Sequence, residues 1–286
     1  MQADPPVRAM ADDSWLMGVL RDAADAVRAA VSTVSDLRAL GRRTGQYALD
    51  LVADQAACGV LHRAGLTVFS EESGLSTPEA SEEHKGPTAP EASEASEAPE
   101  APGHGTERGA WSPLVVVVDP VDGSTNASLG IPWFATSLCV LDPEGPRLAL
   151  VVNQATGVRY EAVRRGGAWR DGQPITPSGC RRMADAVVGV SGLPVVHPGW
   201  AQFRALGAAA LDLCLVAEGG LDGYRVAGRS TLAAWDYLGG LLVCTEAGAV
   251  AAEGDGLELV VRDSSPRRPV AAATPALLTA LLAVPM

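Results

Sequence analysis

Residues 114–126 read Leu114-Val115-Val116-Val117-Val118-Asp119-Pro120-Val121-Asp122-Gly123-Ser124-Thr125-Asn126. The first five are apolar and four of them β-branched, which predicts a strand buried on both faces, inside a sheet covered by other layers. Two carboxylates, Asp119 and Asp122, stand three residues apart where that strand gives way to a turn. Pro120 stiffens the turn, and Gly123 admits a close backbone approach that a side chain would block. Ser124 and Thr125 suit the start of a short helix, whose free N–H groups favour a phosphate bridged to cations. Taken alone, the stretch also fits an ordinary turn, because Asp, Pro and Gly are common turn residues. An EF-hand loop is excluded, since the spacing of oxygen ligands is wrong and an apolar strand precedes them.

Upstream, apolar residues recur at helical spacing from Ser14 to about Leu40, with Asp13 or Ser14 as the cap and Gly41 as the stop. A second amphipathic helix is expected over Tyr47 to His62, then a short strand, Leu66 to Phe69, leading into Ser70-Glu71-Glu72-Ser73. Residues 75–110 change character: EASEASEAPEAP offers nothing to bury and reads as a low-complexity surface insert. Downstream, strands are expected at Ala135–Leu141, Leu148–Asn153 and Val158–Val163, with Asp171-Gly172 marking a hairpin turn. The second half alternates: strand Val187–Val190, a helix around Trp200–Leu206, a strand near Asp222–Val226, helix Leu232–Ala247, strand Pro269–Ala273, and a helix after Thr274-Pro275. This order predicts an α+β half over 14–180 and an α/β half over 181–286.

The formal net charge of −12 excludes nucleic acid and anionic membrane as main partners, because both are negative. Eight Glu against Lys85 and Arg108 give the insert −6 of that total. The five cysteines are odd in number and lack a Cys-x-x-Cys pair, which argues against zinc and against a disulfide framework. His62, His84, His104 and His197 show no ligand spacing. With no secretory signal and no apolar run of spanning length, the expected compartment is the cytoplasm.

Two further segments join the central one. Glu71-Glu72 follows a strand, and Trp235-Asp236 opens a strongly apolar helix that ends in Thr245-Glu246-Ala247-Gly248. In this order the three segments resemble the inositol monophosphatase family of lithium-sensitive, magnesium-dependent phosphatases. Gly167-Ala168-Trp169-Arg170-Asp171-Gly172 and Leu215-Val216-Ala217-Glu218-Gly219-Gly220 are lesser echoes. The resemblance implies a layered α/β/α/β/α sandwich with a metal site between its halves. It makes Glu71, Asp119, Asp122 and Asp236 side-chain ligands of two or three Mg2+ ions, with the Val121 carbonyl as another ligand. Ser124 takes the place of the hydroxyl that orients the attacking water, the backbone around Gly123 and Ser124 that of the phosphate cradle, and Asp54 that of a supporting acid near the third metal. A homodimer and a small phosphorylated metabolite as partner are implied in the same way.

Hard oxygen ligands without His or Cys favour magnesium over zinc, and bound cations reconcile an acidic protein with an anionic ester. The chain departs from the family where substrate choice is made: Asp222-Gly223-Tyr224 is followed by Arg225-Val226 rather than by an acidic residue. Arg225 or Arg229 is therefore a candidate substrate contact, and inositol, histidinol, nucleoside, fructose and aminocyclitol phosphates all stay open. A metal-binding regulatory protein that keeps the fold without turnover is the alternative reading.

Overall fold

The computed structural model describes residues 12–41, 43, 46–78 and 113–284. The insert from residue 79 onward, with His84 and His104, lies outside the described residues. The chain runs α1 (Asp13–Ser32), α2 (Ala48–Arg63), β1 (Thr67–Ser70), β2 (Gly74–Ser76), β3 (Val115–Asp122), α3 (Ser124–Leu129), β4 (Ala135–Asp142), β5 (Gly145–Asn153), β6 (Arg159–Val163), β7 (Gly167–Arg170) and β8 (Gln173–Pro174). It continues with β9 (Val187–Ser191), β10 (Gln202–Arg204), α4 (Ala209–Ala217), β11 (Gly223–Val226), α5 (Ala234–Glu246), β12 (Val250–Glu253), β13 (Pro269–Ala272) and α6 (Pro275–Leu282).

The strands form two sheets, ordered β2-β1-β3-β4-β5-β6-β7-β8 and β10-β9-β11-β13-β12. The pleat of β3 shows how the layers stack. Val116 and Val118 face a core built with α1 and α2, whereas Val115 and Val117 face the core shared with α4 and α5. Each fully buried Val of this kind stabilises the fold by about 1.5–3 kcal/mol relative to exposure. The second sheet closes the α4/α5 layer with Tyr224 and Val226 and packs its other face on α6 through Val188, Val190, Val270 and Leu277. The result is the expected five-layer α/β/α/β/α sandwich.

Several local expectations are corrected. Helix α1 stops at Ser32, with the Thr33 N–H closing on Ala30 and Val31, and its cap is Asp12, whose carboxylate accepts from Ser14 N. Leu75 and Ser76, expected within the insert, belong instead to β2, an edge strand paired antiparallel to β1. The segment expected as a helix around Trp200–Leu206 instead carries β10, an edge strand parallel to β9. The helix follows at α4, whose run Ala-Ala-Leu-Asp-Leu-Cys-Leu-Val-Ala is buried nearly all round and so carries no amphipathic period. Among the described residues, no helix is long and apolar enough to cross a membrane.

Candidate active site

In a regular strand, residues three apart point to opposite faces. Asp119 and Asp122 escape that rule through a bulge. The ladder with β4 passes from Asp119 opposite Ser137 to Asp122 opposite Ala135, so β3 holds one residue more than its partner. Pro120, which has no N–H to give the ladder, sits inside the bulge. Its carbonyl accepts from Thr136 Oγ1 at 2.9 Å. The extra residue turns both carboxylates toward the layer between the sheets, while Val121 joins Val118 in the outer core.

Three other elements converge there. Strand β1 runs parallel to β3, and Glu71 N donates to Val118 O at 3.1 Å, so the Glu pair emerges beside Asp119. Trp235 packs edge-on against Phe69 of β1, with ring centroids 5.1 Å apart, and brings the first turn of α5 to the same place. Asp236 there accepts from Ala233 N at 2.7 Å. The N-terminus of α4 supplies Ala209 N and Ala210 N, which donate to the two oxygens of Asp122 at 3.2 and 2.7 Å. Asp119 accepts from Val121 N at 3.0 Å.

The turn that follows needs glycine twice over. Gly123 has φ of 86°, and a Cβ there would lie 2.9 Å from the Gly207 carbonyl oxygen and 3.1 Å from that of Trp133. Asn126, on α3, donates to the Trp133 and Leu206 carbonyls, both at 2.7 Å, and ties the turn to the loop that leads into α4.

Electrostatically, the site is a set of like charges pressed together. Burial and then the charges of Glu71 and Asp122 hold the Asp119 carboxyl well above the usual carboxylate range. Burial and then Asp236 raise Asp122 in the same way. Burial raises Asp236 to about 6, and burial followed by the charges of Asp236 and Glu72 raises Glu71 to about 7. Glu71 and Asp119 lie close enough that each acts on the carboxyl of the other. Among the described residues, no group of three or more His, Cys, Asp or Glu side chains is spaced so that it could hold a metal ion as it stands. All-oxygen donors and mutual repulsion together suit a hard divalent cation.

Sequence reasoning misplaced Arg225. Arg225 lies on the other face of β11, fully buried, and donates to the Leu281 and Val284 carbonyls at 3.3 and 3.4 Å. The pleat turns Tyr224, not Arg225, toward the carboxylates, with its hydroxyl donating to Ser191 Oγ at 2.7 Å. Arg229 is exposed on the turn beyond. Asp54 points beneath the Glu pair, where it accepts from Ser70 Oγ, from Ser73 Oγ at 3.3 Å and from Cys58 Sγ at 3.4 Å. A further acid beside the cluster is Asp50, in the first turn of α2, raised to about 7 by burial and then by Glu72 and Glu71. One of its oxygens accepts from Tyr47 N at 2.8 Å, and the other is buried without a hydrogen-bond partner. Asp212 on α4 was also missed; it is buried behind Asp122 and bonded to Trp133 Nε1 at 2.9 Å. The helical register of Asp50 was readable from the sequence, but its neighbours were not.

A five-layer α/β sandwich with an acidic, all-oxygen cluster between its sheets defines the class of protein. Comparison with known proteins narrows it. The model of the inositol monophosphatase family matches residues 18–284. The chain belongs to that family. It is 36% identical over 156 residues to the inositol-1-monophosphatase of Rhizobium meliloti, a match spanning 49% of this chain and 57% of that protein. It is 28% identical over 262 residues to a fructose-1,6-bisphosphatase/inositol-1-monophosphatase of Archaeoglobus fulgidus, covering 87% of this chain and 88% of that one. Among solved structures, an extragenic suppressor from Pyrococcus furiosus superposes with a TM-score of 0.73 at 22% identity, over 94% of this chain and all of the other.

Proposed function

We propose that this chain is a magnesium-dependent phosphomonoesterase acting on a small polyol, sugar, cyclitol or amino-alcohol phosphate. The observation that carries the reading is the meeting of Glu71, Asp119, Asp122 and Asp236, from three remote stretches of chain, in one neighbourhood between the sheets. Family membership supports the same reaction class.

Glu71, Asp119, Asp122, Asp236 and the Val121 carbonyl would hold two or three magnesium ions. When bound, the ions supply positive charge to the phosphoryl group and to the leaving oxygen. The chain's own part is positioning, which phosphoryl transfer chiefly needs. Backbone amides of Gly123 and Ser124 hold the phosphate, and Ser124 orients the attacking water. The two α4 amides keep the Asp122 carboxylate from rotating.

The test is phosphate release from a panel of esters: inositol 1-phosphate, fructose 1,6-bisphosphate, histidinol phosphate and a nucleoside bisphosphate. Each is assayed with magnesium and with chelator, for the wild type and for Asp119→Asn. Magnesium-dependent turnover lost in the variant is expected. Equal, negligible rates for both proteins on every ester would overturn the reading and favour the regulatory alternative. Inhibition by lithium is expected as well, and turnover unaltered at high lithium would count against the assignment.

A further inference from the structure

The Glu71-Glu72 pair places two carboxylates at the mouth of the site, yet the structure treats them differently. Glu71 faces Asp119 and Asp236. The Glu72 side chain is only 5% exposed, and its Oε2 accepts from both Arg43 Nη2 and Gln46 Nε2. Arg43 Nη2 donates in addition to the Glu72 carbonyl at 3.1 Å.

Gly41, Arg43 and Gln46, which supply or support these donors, are tied to one another. Gly41 N donates to Gln46 O at 2.8 Å, and Arg43 N donates to Gln46 Oε1 at 3.2 Å. A Cβ on Gly41 would lie 2.6 Å from the Gln46 side chain, so glycine is needed for Gln46 to reach Glu72. Arg43 is 57% exposed, and most of an arginine's reach is given up to hold this one carboxylate. The Arg43 charge also acts on Glu71 and on Asp50.

We propose that Arg43 is a positioning residue that withholds Glu72 from the carboxylate cluster, so that the Glu pair delivers one carboxylate to the site, and that the Arg43 charge sets how tightly the cluster takes a divalent cation. This rests on the cluster being a cation site, as argued above. With Arg43 in place, Glu72 is neutralised and geometrically occupied. Without that charge, the adjacent carboxylate adds its full field to the site and is free to turn toward it.

The test measures Mn2+ binding by electron paramagnetic resonance and Mg2+ binding by calorimetry, on the full chain without substrate. Removing the charge in Arg43→Met is expected to tighten cation binding, by roughly three- to tenfold for a unit charge near a divalent ion in a partly solvated site. Glu72→Gln, which leaves Arg43 unopposed, is expected to weaken it by a similar factor. The double variant is expected to return close to wild type, and Arg43→Lys to stay there. If Arg43 only props the loop, Arg43→Met weakens binding and the added Glu72→Gln does not reverse the effect, which overturns the proposal. Should Arg43→Met fail to fold, Glu72→Gln and Arg43→Lys carry the test: unchanged affinity in Glu72→Gln sinks the idea. A wild type that binds neither ion refutes the cation-site reading itself and is a distinct outcome.

Discussion

Replacing Asp212 by Asn is expected to stabilise the protein at pH 8 and to do progressively less toward pH 5. Asp212 is fully buried, with one oxygen bonded to Trp133 Nε1 and the other without a hydrogen-bond partner. Burial pushes its carboxyl up to about 7. A carboxyl whose folded pKa is raised keeps its proton in the folded state while the unfolded chain has already released it. The contribution therefore falls as pH rises from about 4 to about 7. A gap of about three units corresponds to roughly 4 kcal/mol at pH 8, as an upper bound. Asn keeps an acceptor for Trp133 and carries no charge at any pH. Its NH2 would meet the place where the second oxygen has no partner, a cost of about 1–3 kcal/mol. The net gain at pH 8 is then about 1–3 kcal/mol, or several degrees in Tm for a chain of this size. Thermal unfolding of metal-free wild type and variant, followed by circular dichroism between pH 5 and 8, measures it. Curves that stay parallel across that range would refute the reasoning, because they would mean that Asp212 ionises alike in both states.

Other outcomes follow from the same geometry. Asp119→Asn should lower kcat by about a hundredfold or more, as expected when a group stabilising transition-state charge is lost, with steady-state phosphate release as the measure. Magnesium should raise Tm more at pH 8 than at pH 5, because the ion competes with protons for carboxyls raised to about 6 and 7 at Asp236 and Glu71; differential scanning fluorimetry at both pH values reads this directly. Gly123→Ala puts a Cβ 2.9 Å from a carbonyl oxygen at φ of 86°, so both stability, by about 1–3 kcal/mol, and turnover should fall. Arg225→Met removes donors to the Leu281 and Val284 carbonyls, and should lower Tm while leaving KM unchanged at 25 °C.

What could be read from the sequence alone was the chemistry that is local in the chain. The apolar run 114–118 required a covered strand, the Asp119–Ser124 turn declared itself through Pro and Gly, and Trp235-Asp236 marked a helix start, because sterics and hydrogen bonding act over a few residues. Only the tertiary structure decided which side chains share a field. The bulge at Pro120 turned Asp119 and Asp122 to one face, and the pleat of β11 sent Arg225 to α6 and Tyr224 to the site. Docking of α2 beside the Glu pair put Asp50 within the field of Glu71 and Glu72. Helix α4 was invisible for a related reason: a helix buried on every side loses its period, and only packing shows that its first amides hold Asp122. Coulombic and burial energies depend on distance in space, and the layers that set those distances are joined by contacts between residues far apart along the chain.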